Sequence, residues 1–236
     1  MKALSNMKQE ASRKAKSEIQ HTFQQALAAH QQNQLTIAKA IYQTVLDMDS
    51  KYYPALHMMG VLAAQNREFQ IAIEFISKAI KLNPIDAPAH FNLANAFMEL
   101  GQIENAIASY NKAIALKPNY AEAYANRGVS LHAIGKIKEA IQSFNKAIHL
   151  SPNYVDAHLN KGNSLKSLGL LDEAEESFRQ VLKITPNHDQ ALTALSKILL
   201  KKGRHKEGLR IQAAVFGCIV FDSKNSVLVK PRFHHA

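Results

Sequence analysis

The sequence predicts an all-α fold of stacked helical hairpins, and three observations carry that prediction. Four segments align without gaps at a spacing of 34 residues: 53–86, 87–120, 121–154 and 155–188. A small residue recurs at the eighth place of each (Gly60, Ala94, Gly128, Gly162) and alanine at the twentieth (Ala72, Ala106, Ala140, Ala174). A proline closes each unit, as Pro84, Pro118, Pro152 and Pro186. A fixed period of this size marks a repeat array, in which one unit cannot bury its apolar face alone and stacking supplies the partner.

Each unit reads as two antiparallel helices. Small side chains at the eighth and twentieth places let the helices approach closely, and the large residue four further on (Ile76, Tyr110, Phe144, Phe178) fills the contact. Gly101, Gly135 and Gly169 fall between the two helices of their units, where glycine takes the left-handed conformation that ends a helix. The closing proline cannot continue the second helix. Ile103, Ile107, Tyr110, Ile114 and Leu116 show the near-helical apolar spacing that gives a second helix its buried stripe.

Residues 19–188 therefore divide into five units. The first, 19–52, keeps Ala26, Ala38, Tyr42 and Val45 in register but has Ser50 in place of the proline. A degenerate capping unit follows over 189–216: it keeps Leu192, Leu195, Gly203 and Leu209, with Ser196, Gly208 and Gln212 at the eighth, twentieth and twenty-fourth places. Loss of pattern at an array's end is expected, because the outer face meets water. Residues 1–18 form a basic extension without an apolar stripe, expected as a frayed or solvated helix. The tail, 217–236, holds two short β-rich runs around a polar SKNS turn and predicts a short C-terminal β-hairpin packed on the last helices.

Charge and composition narrow the function. The net charge is +10, yet residues 19–196 carry 15 basic and 15 acidic side chains; the excess sits in 1–18 (+3) and 197–236 (+7). That distribution argues against nucleic acid as the main partner, leaving binding of nucleic acid or an anionic surface through the two basic ends as a further reading. The one cysteine, Cys218, excludes an internal disulfide and fits a reducing compartment; its apolar run makes it a buried, inert thiol. No apolar leader core and no stretch of about 18 apolar residues occurs, so the expectation is a cytoplasmic protein without a transmembrane segment. The eleven histidines are scattered, with no H-E-x-x-H or paired Cys/His spacing, so no metal is expected. No phosphate loop or nucleophile elbow appears, and with too little chain left for a catalytic domain, the sequence predicts no enzyme and no cofactor.

The repeat pattern resembles the tetratricopeptide repeat family over roughly residues 19–216. The resemblance implies a right-handed superhelical solenoid of helix-turn-helix repeats whose first helices line a concave groove for a protein or peptide partner. Its ligand-contacting places include the fifth, sixth, ninth and twelfth. Here the sixth place is Asn92, Asn126 and Asn160, the ninth adds Asn95 and Asn163, and Lys166 stands at a twelfth place beside His132 one unit earlier. The unit at 53–86 has Met58 and Val61 at the sixth and ninth places, with Pro54 and His57 alongside. Each carboxamide carries a donor and an acceptor, so the series can bond an extended peptide backbone without demanding particular side chains. The series is similar to the one in the repeat arm of O-linked N-acetylglucosamine transferases, and because related bacterial repeat arms are often fused to such enzymes, the resemblance implies an accessory or detached transferase arm as a second reading. A carboxylate clamp for chaperone tails would need a lysine at the fifth place and a cation at the twelfth, where this sequence has Phe91 and Met98. Asparagine at these places also fits a plain role in helix-pair geometry. Arg127 and Lys161 occupy a place that the family keeps apolar and are expected to snorkel to solvent.

Overall fold

Every 34 residues the backbone takes one left-handed step. Asn33, Arg67, Gly101, Gly135, Gly169 and Gly203 all have positive φ, between 58° and 78°. The next residue's N–H then donates to the carbonyl five residues back: Gln34 to Ala29, Glu68 to Ala63, Gln102 to Phe97, Lys136 to Leu131, Leu170 to Leu165 and Arg204 to Leu199, each at 2.8–3.0 Å. This is the Schellman closure of a helix C-terminus, repeated six times. The glycines do what their spacing predicts. At the two earlier turns an asparagine and an arginine adopt the same conformation.

The computed structural model describes residues 2–216, 219–221 and 227–229. It is all-α apart from two three-residue strands, and the chain divides into two compact units, Met1–Pro118 and Asn119–Ala236. The first unit holds α1 (Lys2–Gln31), α2 (Leu35–Met48), α3 (Tyr53–Gln65), α4 (Phe69–Leu82), α5 (Ala87–Glu99) and α6 (Ile103–Leu116). The second holds α7 (Ala121–Ala133), α8 (Ile137–Leu150), α9 (Val155–Ser167), α10 (Leu171–Ile184), α11 (Asp189–Lys201) and α12 (His205–Phe216). Within each unit every helix packs on the next, and first helices of successive repeats also touch, α3 on α5 and α7 on α9. Pro84, Pro118, Pro152 and Pro186 stand two residues beyond the ends of α4, α6, α8 and α10.

α1 runs unbroken across the expected boundary at 18/19. Its first half is rich in Ala, Lys, Gln and Glu, all good helix formers, and the described side chains before Ile19 are exposed. The hairpin expected over 217–230 falls largely outside the described residues. Ile219–Phe221 and Val227–Val229 lie in antiparallel register. Cys218 lies outside the described residues too.

The cores sit at the hairpin contacts. In the first unit, Phe23 packs against Tyr42 and Tyr52, with ring centres 5.8 and 5.4 Å apart. Tyr42 is fully buried, its hydroxyl 3.3 Å from His30 Nδ1, and burial pushes the phenol up to about 12. In the second unit, Phe178 and Val181 of α10 pack with Leu195, Ile198 and Leu199 of α11. The small residues leave no spare room: a β-carbon on Gly60 would lie 2.4 Å from Ile76 Cγ1, and one on Gly162 would lie 2.9 Å from the Phe178 ring.

The last hairpin is tied down by charge. Glu175 of α10 is buried, and Lys202, Arg179 and Arg204 all donate to its carboxylate, at 2.7, 2.9 and 2.7 Å. Lys202 also bonds Asp172, and Glu207 bridges Arg179 and Arg204. Arg127 departs from the expected snorkelling. It is half-buried, its guanidinium lies 5.2 Å over the Tyr124 ring, and its Nε donates to Ser143 Oγ at 3.2 Å.

Candidate functional site

The asparagines expected to bind a partner all lie on first helices of their repeats: Asn92 and Asn95 on α5 of the first unit, Asn126 on α7 and Asn160, Asn163 and Lys166 on α9 of the second. Each asparagine is half-buried and Lys166 is exposed.

In the second unit an open cavity of about 460 Å³ brings three of them together: Asn160, Asn163 and Lys166, with His132 and Val129 from α7 and Phe144 from α8. Lys166 Nζ donates to Asn163 Oδ1 at 3.2 Å. Ser164 Oγ donates to the Asn160 carbonyl at 2.8 Å, and His132 Nδ1 lies 2.8 Å from the same Oγ. The serine proton is spent on the carbonyl, so Nδ1 must carry a proton and donate. In the neutral ring, Nε2 is then an acceptor. The cavity thus combines carboxamides, an ammonium and an imidazole over an apolar floor.

In the first unit the asparagines are engaged by protein groups. Asn95 Oδ1 accepts from the Tyr110 hydroxyl of α6 at 2.6 Å, which links the two helices of one hairpin. Asn92 Nδ2 lies 2.9 Å from His57 Nε2 on α3, and His57 Nδ1 lies 3.5 Å from Asp86 Oδ2. Burial pushes the His57 imidazole below its ordinary value, against an upward pull from Asp86. His57, which bonds Asn92, and His132, which bonds Ser164 beside Asn163, are the residues whose pairings sequence reasoning passed over. Their partners lie 35 and 32 positions away, close to one repeat length. Pairing each polar residue with the residues one period on would have found both.

Among the described residues no cluster of three or more His, Cys, Asp or Glu is placed to hold a metal ion. No described helix is long and apolar enough to cross a membrane.

Comparison with known proteins agrees with this architecture. Tetratricopeptide repeat models match residues 53–86, 75–108 and 155–188, and a TPR repeat model matches 94–135 and 130–169. Together these matches run unbroken from 53 to 188, more than half of the chain. No curated protein matches the sequence. Among solved structures, pilF of Pseudomonas aeruginosa is similar over 85% of this chain and 91% of its own, at 17% identity and a TM-score of 0.74. MamA of Desulfovibrio magneticus RS-1 is similar over 72% and 97%, at 19% identity and 0.67. YrrB, described as a TPR protein with an unusual peptide-binding site, is similar over 73% and 89%, at 24% identity and 0.66. At such identities the shared property is the fold. The chain belongs to the tetratricopeptide repeat family.

Proposed function

We propose that this protein is a non-catalytic scaffold that captures an extended segment of a partner protein along the first helices of its repeats. One observation carries the reading. Carboxamides recur at one register of successive first helices, as Asn92, Asn126 and Asn160, and in the second unit Asn160 opens onto a cavity with Asn163 and Lys166. An extended peptide offers a donor and an acceptor at every residue, and a carboxamide can meet either. Family membership supports a protein or peptide partner, and the likeness of the series to transferase repeat arms supports an extended one. Asn95 contributes less directly, because its oxygen is held by Tyr110.

The test is affinity capture of partners followed by titration of a captured partner against wild type and the Asn92→Ala, Asn126→Ala, Asn160→Ala triple variant. Circular dichroism checks that the variant is folded. Equal affinity of the two proteins would overturn the reading.

A further inference from the structure

His57 stands at the fifth place of its repeat and Asn92 at the sixth place of the next, both in the first unit. The His57 side chain is only 12% exposed, and each ring nitrogen faces a polar partner: Nδ1 faces Asp86 Oδ2 and Nε2 faces Asn92 Nδ2. A carboxylate only accepts, so Nδ1 holds the ring proton and Nε2 accepts from the Asn92 amide. Asp86 is itself fixed as the N-cap of α5, its Oδ1 accepting from the Ala89 N–H at 3.2 Å. The arrangement has one direction: Asn92 Nδ2 donates to His57 Nε2 at 2.9 Å, and the protonated Nδ1 faces the Asp86 carboxylate at 3.5 Å.

This settles which half of the carboxamide is left for a ligand. The –NH₂ branch of Asn92 is turned to the imidazole, so the Oδ1 branch is turned away from it. A carboxamide free to rotate could meet either a peptide N–H or a peptide carbonyl. We infer that His57 and Asp86 are positioning residues that hold Asn92 with its oxygen outward, so that this place accepts a backbone N–H of the bound segment. The inference rests on the peptide-binding reading above and sharpens it. The ligand residue at this place must own a free N–H, which excludes proline and N-methylated residues. Holding the side chain in advance also removes part of the ordering cost of binding.

The probe is a 12-residue peptide enriched from a random displayed library on the full wild-type chain, titrated by calorimetry at pH 7. His57→Phe removes the acceptor, and Asp86→Asn removes the carboxylate while keeping an N-capping side chain. Each should weaken binding about two- to tenfold, as Asn92→Ala does, the worth of one neutral hydrogen bond. The His57→Phe, Asn92→Ala double variant should bind no more weakly than Asn92→Ala alone, because the histidine acts through the asparagine. N-methylation at one peptide position should weaken wild type and leave Asn92→Ala unaffected. Nitrogen-15 spectra of the free protein should show His57 protonated at Nδ1 and bare at Nε2. A ring protonated at Nε2, or additive losses in the double variant, would overturn the inference alone. Asn92→Ala binding like wild type would likewise overturn the inference alone; the Asn92→Ala, Asn126→Ala, Asn160→Ala triple variant binding like wild type, or no peptide enriched, would overturn the peptide-binding reading and this inference with it.

Discussion

Gly128 on α7 lies directly against the ring of Phe144 on α8: a β-carbon at Gly128 would sit 2.6 Å from Phe144 Cε1 and 2.8 Å from Cδ1 and Cζ. Phe144 is fully buried, so the ring must shift to admit the added carbon. Gly128→Ala should therefore overpack the hairpin, a penalty of about 1–3 kcal/mol. Alanine's better helix propensity returns about 1 kcal/mol, leaving a net loss of up to about 2 kcal/mol. Chemical denaturation of the variant measures it, and unchanged stability would mean the ring is not confined.

Arg67 takes the left-handed conformation with φ 62°, at the turn place where later repeats have Gly101, Gly135 and Gly169. A side chain with a β-carbon is strained there by roughly 1–2 kcal/mol. Arg67→Gly relieves that strain but frees the unfolded chain, so it should stabilise the protein by about 0.5–1 kcal/mol. A thermal melt shifted downward would contradict this.

Glu175 makes the last hairpin sensitive to acid. Burial pushes its carboxyl upward, but hydrogen bonds from Lys202, Arg179 and Arg204 outweigh it and hold the group at about 2, against an ordinary value of 4.5. A carboxyl depressed in the folded state contributes fully above its unfolded value and loses that contribution as pH falls toward the folded one. The advantage of wild type over Glu175→Gln should thus be constant above about pH 5 and shrink between 4.5 and 2. At neutral pH it should be about 1.5–3 kcal/mol, the scale of hydrogen bonds to a charged group. A difference that does not change across this window would place the acid sensitivity elsewhere.

Removing Asn92, Asn126 and Asn160 together should weaken partner binding by about 1.5–4.5 kcal/mol if their contributions add, or roughly tenfold to two-thousandfold in affinity. Each single change should show only a modest loss. Helical content should hold, because alanine is a better helix former than asparagine.

What the sequence alone determined is local and periodic. The turn glycines, the close-approach residues at the eighth and twentieth places and the closing prolines recur every 34 residues, and each acts on its own hairpin. Their effects depend on backbone geometry and steric size, which a residue's identity largely conveys. The places of Asn92, Asn126 and Asn160 on first helices followed from the same register. What only the tertiary structure decided is how polar side chains pair between helices. Tyr110 takes the oxygen of Asn95, His57 takes the amide of Asn92, and Glu175 gathers cations from α10 and from the turn between α11 and α12. These partners depend on the offset with which one helix stacks on the next, a displacement of a few ångströms. A repeat sequence with the same period could stack with another offset and leave the same residues unpaired. Arg127 shows the point most simply: a charge that looks bound for solvent lies over Tyr124 on its own helix and is held by Ser143, a hydroxyl that the packing of α8 on α7 brings within its reach.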